Sequence, residues 1–158
     1  MILEMAVSHA NGYRELGMYN DAINVLRKVS ENDRSVMAMF VAIYTDMERW
    51  KDVLNYCCIL RKEYPEEVGW WIQEAYALRR AKTKGIEEAE KLLFEAKEKF
   101  PKDAIIPYNL GCYRCVQGDL KEAVLYVRQA ISLDEKYLEL AMSDSDLTVI
   151  RDFLASTS

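Results

Sequence analysis

Proline and glycine are scarce, three and six in 158 residues. That scarcity excludes a collagen-like chain or a Pro/Gly-rich disordered one, and no stretch reads as a linker. Histidine is scarcer still, with His9 alone, so histidine-rich metal sites and the usual general base have little to draw on. No run approaches the eighteen or so consecutive apolar residues a membrane-crossing helix needs. A basic excess is also missing: 21 Lys and Arg stand against 26 Asp and Glu, a formal charge of −5. That balance argues against nucleic acid as a partner, which demands a basic footprint. The opening MILEMAVSHANG lacks a basic n-region and Glu4 interrupts its apolar residues, so no signal peptide is expected. The four cysteines then read as reduced thiols in a cytoplasmic protein.

What is present is hydrophobic periodicity. Residues 104–134 form one helical hairpin on paper. Pro107 lies early, where a missing amide costs a helix nothing. Gly118-Asp119 interrupts the run as a turn does. Leu120, Ala123, Val124, Val127, Ala130 and Ile131 follow at helical spacing. Small residues at Gly111, Ala123 and Ala130 predict a close approach of the two helices. Stepping back 34 residues from Ala123 and Ala130 reaches Ala89 and Ala96. Further steps reach Val53 and Ala22, with Pro65 and Pro101 closing two of the units. Helices are expected near 2–16, 19–30, 34–47, 50–63, 68–83, 86–99, 104–117 and 120–133, with Asp103 and Asp119 as candidate N-caps.

These units resemble the tetratricopeptide repeat. Tyr108-Asn109-Leu110-Gly111, Gln117-Gly118-Asp119, Glu122-Ala123 and Gln129-Ala130 carry the resemblance best. Repeats fall at about 3–33, 34–67, 70–103 and 104–137. The second departs most, with Val41, Val53 and Leu60 where the family has small residues; Ala77, Arg80 and Arg114 depart elsewhere. The resemblance implies an all-α fold: an α-solenoid of about four helix-turn-helix repeats in a single domain over 1–158. The segment 138–155 is expected to cap the array, with Tyr137 to Met142 helical, Ser143–Asp146 a turn with capping side chains, and Leu147, Ile150, Phe153 and Leu154 one face of a final helix.

Chemistry finds little support. Cys112-x-x-Cys115 shares a helix face, but it lies mid-helix with no preceding strand. A redox pair of this spacing normally opens a helix, and a closed zinc site wants four ligands. A structural or groove-lining role is the plain reading, with a redox or metal role as the alternative. His9 is expected to be a partly buried imidazole. No nucleophile has a histidine in a motif beside it and no phosphate loop appears, so no enzyme, cofactor or metal is expected. Arg79, Arg80, Lys82 and Lys84 read as a solvated helix end, or else as an anion contact.

A second apolar stripe carries the functional expectation. In tetratricopeptide proteins the first helix of each hairpin lines a concave surface that contacts bound peptides. The resemblance assigns Trp71, Glu74, Leu78 and Lys82 to that surface on one helix and Tyr108, Cys112 and Cys115 on another. Asn11 and Arg14, with Ser35, Ala38, Ala42, Thr45 and Asp46, supply its N-terminal part. A helix that is apolar all round is covered by something, and two coverings stay open: a ligand, or the C-terminal helix folding back over Ile105 and Tyr108. The carboxylate clamp used for chaperone C-termini is not expected, because Val7, Ala38 and Ala42 occupy clamp positions. The resulting expectation is a non-enzymatic module binding a protein or peptide. The alternatives are an assembly unit, dimeric through an N-terminal end that begins with Met1, Ile2, Leu3 and Met5, or a thiol-regulated or metal-binding protein.

Overall fold

A computed structural model describes residues 2–81 and 85–156. Among them every regular element is helical: α1 (Leu3–Glu15), α2 (Tyr19–Leu26), α3 (Arg34–Asp46), α4 (Trp50–Glu63), α5 (Val68–Ala81), α6 (Gly85–Lys99), α7 (Ile105–Val116), α8 (Leu120–Leu133), α9 (Lys136–Ser143), a 3₁₀ turn (Ser145–Ile150) and α10 (Arg151–Ala155). The chain divides into two compact units, Met1–Thr83 and Lys84–Ser158. Lys82 and Lys84, expected at a helix end, lie outside the described residues.

In the N-terminal unit, α1 pairs with α2 and α3 with α4, and α5 packs on α4. The turns obey one rule. Gly17 takes a positive φ of 73° between α1 and α2, and Glu48 takes 54° between α3 and α4. In the other unit Gly118 does the same at 85°. That left-handed step is cheap for glycine and costly for Glu48. Asp33 caps α3, accepting from the Ser35 amide at 2.8 Å. The second helix stops short of its expected end: Lys28 and Val29 turn back to Val25 and Leu26 through tight i→i−3 bonds of 3.2 Å, the usual way a helix end tightens. The core combines Ala10, Ala22, Leu26, Val36, Phe40, Ile43, Val53, Cys57 and Leu60, all fully buried. Phe40 stacks on Tyr56 at 5.0 Å. Burial pushes the Cys57 thiol up to about 12, so it behaves as a small hydrophobe.

In the C-terminal unit, α6 packs on α7, and α7 and α8 form a close hairpin. Gly111 is the reason. A Cβ there would lie 2.5 Å from Val127 Cγ2 and 3.1 Å from the Ala123 carbonyl oxygen. Asp119 caps α8, accepting from the Glu122 amide at 3.3 Å. Asp103 accepts from the Ile105 amide at 3.2 Å at the start of α7. The expected final helix is broken instead: Asp144 accepts from the Asp146 amide at 2.9 Å and starts a 3₁₀ turn, leaving α10 only five residues. Leu147 and Ile150 are fully buried and Leu154 nearly so.

Candidate functional site

The N-terminal unit keeps an open face on its first helices. Arg14 of α1, Ala38, Val41, Ala42, Thr45 and Asp46 of α3, and Trp70 and Gln73 of α5 line a cavity of about 290 Å³. A polar chain frames one side. Arg14 Nε donates to Asp46 Oδ2 at 2.6 Å, Arg14 Nη1 reaches Asn11 Oδ1 at 3.4 Å, and Asn11 Nδ2 donates to Glu15 Oε1 at 2.9 Å. The small side chains of Ala38 and Ala42 make the floor. Trp70 forms the opposite wall, its indole N–H held by Glu67 Oε2 at 2.8 Å. Glu67 is in turn paired with Arg34, and the Arg34 guanidinium holds that carboxyl below its ordinary range. The Trp70 indole is therefore held in place through Glu67 and Arg34.

Trp71 and Glu74 point elsewhere. Trp71 is 8 % exposed; its Nε1 donates to the Pro65 carbonyl at 3.0 Å, and the Arg61 guanidinium lies 4.9 Å from the ring centroid. Arg61 also pairs with Glu74, with side-chain exposures of 19 % and 10 %. These groups fasten α5 to α4. The expectation that they face the groove is corrected by one residue of register. A helix turns about 100° per residue, so the exposed face carries Trp70 and Gln73 where Trp71 and Glu74 were expected. Leu78 is half-buried, and Lys82 lies outside the described residues. His9 is exposed rather than partly buried. It sits with Ser8, Gly12, Tyr13 and Leu16 around a separate hollow of about 350 Å³.

The C-terminal unit has no such opening on α7. Tyr108, Cys112 and Cys115 are 8 %, 5 % and 7 % exposed, because the 3₁₀ turn packs across α7. Tyr108 donates its hydroxyl to Asp144 Oδ2 at 2.8 Å. Cys112 Sγ lies 3.7 Å from the same oxygen. The ring of Tyr108 also meets that of Tyr137 at 4.9 Å. Burial, reinforced by the bond to Asp144, raises the Tyr108 phenol far above its ordinary range. Burial and then Asp146 raise the Cys115 thiol. Of the two coverings left open by the sequence, the chain supplies its own. Ile105 is half-buried and Val116 half-exposed at the edges of this seal. Sequence reasoning took Asp144 for a cap, which it is. It missed that the second carboxylate oxygen reaches a tyrosine 36 residues away, since no local pattern encodes that contact.

Trp70 was the other omission. The signal was the Trp-Trp pair just after Pro65: two adjacent indoles cannot share a helix face, and only one can stay outside.

No protein-family model and no curated protein matches the chain. Solved structures do. A thermophilic TPR protein of Thermus thermophilus, TTC0263, superposes with a TM-score of 0.65 at 17 % identity, covering 96 % of this chain and 98 % of that one. The MamA RS-1 ArsTM double mutant gives a TM-score of 0.69 at 13 % identity, over 96 % and 88 % of the two chains. MamA AMB-1 gives 0.63 at 14 % identity, over 96 % and 81 %. At these identities the likeness establishes architecture: an all-α helical repeat of tetratricopeptide type.

Proposed function

Starting from a fold shared with tetratricopeptide-repeat proteins, we propose that the chain is a non-enzymatic interaction module that holds a segment of another protein. The observation that carries this is the open face of the N-terminal unit. It joins a braced indole, a floor of small apolar side chains and an ion pair within one cavity of about 290 Å³. An apolar side chain of the partner would settle over Ala38 and Ala42 against Trp70. Its backbone or polar groups would meet Gln73, Asn11 and the Arg14–Asp46 pair. Aromatic anchors of this sort supply most of the affinity in protein interfaces. The negative net charge favours a protein over nucleic acid, and among the described residues no helix is long and apolar enough to cross a membrane. Four free thiols suit a cytoplasmic setting.

Tyr108, Cys112 and Cys115 belong to the seal on α7 and are not partner contacts in this reading. The test is direct. Peptides selected from a displayed library against the intact chain should lose roughly tenfold or more in affinity on Trp70→Ala, and Ala42→Arg should abolish binding by filling the floor. Selected peptides indifferent to both variants would place the contact elsewhere and overturn the assignment.

A second reading, assembly through the N-terminal end, rests on Ile2, Met5, Leu16 and Met18, which are 66 %, 46 %, 74 % and 43 % exposed. Sedimentation of the wild type against a Met5→Glu, Leu16→Glu variant decides it. A dimer lost in the variant supports this reading; a monomer at high concentration removes it.

A further inference from the structure

The C-terminal seal on α7 brings a buried thiol and two half-buried carboxylates together. Cys112 Sγ and one carboxylate oxygen from each of Asp144 and Asp146 all lie within 4.8 Å of one another. Cys115 stands one helical turn along the same face and is 7 % exposed; its thiol makes no hydrogen bond among the described residues. We infer that Cys112, Asp144 and Asp146, with Cys115 as the fourth donor, form a binding site for a thiophilic divalent cation of the zinc class.

The geometry suits such an ion. Zinc binds sulfur at about 2.3 Å and oxygen at about 2.0 Å in a tetrahedron, which sets ligand atoms roughly 3.5 Å apart. Cys112 on α7 and the carboxylates of Asp144 and Asp146 at the 3₁₀ turn already converge, and rotation of the Cys115 side chain from one helical turn along would bring in the fourth donor. The ligand-bearing turn is held by hydrogen bonds within it and to its neighbours. Asp144 Oδ1 accepts from the Asp146 amide at 2.9 Å, and Arg151 Nη2 donates to the Asp144 carbonyl at 2.9 Å. Tyr108 fixes the orientation of the Asp144 carboxylate through its hydroxyl at 2.8 Å, the position an outer-shell partner takes in metal sites.

The chemistry points the same way. Two thiols and two carboxylates form a mixed sulfur and oxygen donor set of the kind this class of ion takes. A divalent ion bound there deprotonates the thiols outright. Each coordinated thiol releases its proton to water and nothing is oxidised or reduced. Two sulfurs with two carboxylates select zinc, cadmium or cobalt over magnesium and calcium, which prefer oxygen alone. All four protein donors would be used, so the site would be closed and structural, tying α7 to the C-terminal segment. This proposal is independent of the groove in the other unit.

Cobalt(II) titration of the full chain, kept reduced with a phosphine, tests it. One equivalent should produce a sulfur-to-cobalt charge-transfer band and strong tetrahedral visible bands, both displaced by zinc, and zinc should raise the melting temperature. Cys112→Ala should remove the charge-transfer band. Asp146→Asn should keep the helical circular dichroism while weakening binding beyond the roughly tenfold cost of losing an outer-shell partner. Cys57 and Cys58 belong to the other unit and are an internal control: replacing both with Ala should change nothing. Absence of the band at stoichiometric cobalt overturns the proposal. So does a band that survives Asp146→Asn at full affinity, or one that vanishes with Cys57 and Cys58. Should Cys112→Ala fail to fold, the Asp146→Asn result decides alone.

Discussion

The two units treat the same kind of helix face in opposite ways. On α3 the face is small and mixed, Ala38, Ala42, Thr45 and Asp46, and it borders a cavity. On α7 it is larger and more apolar, Tyr108, Cys112 and Cys115, and it is covered by the chain itself. Burial follows the side chains. Apolar area gains about 25 cal/mol per Å² when removed from water, so the greasier face gains most from a covering segment. The face left open is the one with a guanidinium–carboxylate pair and small side chains, which gains little from being covered. In this chain the face poorer in apolar area is the one that stays open.

The sharpest way to break that comparison uses two neighbours. Trp71 is core and Trp70 borders the cavity, so adjacent substitutions should part. Trp71→Ala empties a buried indole site and strands the Arg61–Glu74 pair beside it. It should cost about 3 kcal/mol or more in urea denaturation. Trp70→Ala removes a half-buried ring with one hydrogen bond to an exposed carboxylate and should cost about 1–2 kcal/mol, while carrying the larger loss in peptide binding. Equal destabilisation by the two would show that both indoles are core and that the open face is illusory.

That contrast also shows what was legible beforehand. Helix positions were readable because amphipathic periodicity, Gly17 and Gly118 at turns, and Pro65 and Pro101 after helix ends all act locally. The packing of α7 on α8 was readable from Gly111, Ala123 and Ala130. The family resemblance put Ala38, Ala42 and Arg14 on one face of the first helices, and these three line one cavity. The α5 part of that face was not readable. Repeat lengths vary here, and one residue of uncertainty rotates a helical side chain from cavity to core. The fate of α7 was not readable either. An apolar face announces that something covers it without saying whether the cover is a ligand or a later stretch of the same chain. Asp144 meeting Tyr108 is a pairing of distant residues, and no periodicity records it.

The seal itself can be opened. Ile150 is fully buried, and Ile150→Ala should cost about 2–4 kcal/mol. Cys112 and Cys115 should then react with a thiol reagent in native buffer, while fully buried Cys57 stays protected. Alkali should loosen the same lock more gently. In the metal-free chain the Tyr108 phenol and the Cys115 thiol are raised, so the native state holds these protons more tightly than the unfolded chain. Their stabilising contribution is complete below the ordinary thiol and phenol values, about 8.5 and 10, and is lost as pH rises beyond them. A falling denaturation midpoint above about pH 9 checks this, and Tyr108→Phe should flatten its upper part. A midpoint that is flat in the wild type would mean that the α7 face is wetter than the geometry makes it.

The smallest single effect belongs to one of two helical glycines, Gly12. Gly111 meets Val127 and the α8 backbone, so Gly111→Ala must push the hairpin apart and should cost about 1–3 kcal/mol. Gly12, on α1 of the N-terminal unit, has nothing within 4 Å of an added Cβ and an ordinary helical φ. There the methyl group meets open space, and the gain in helix propensity should stabilise the chain by about 0.5–1 kcal/mol. The same substitution should thus change sign between the units. Thermal denaturation of the two variants side by side measures it. If Gly12→Ala destabilises while Gly111→Ala is neutral, then neither the open space beside Gly12 nor the close approach of α8 at Gly111 is as described.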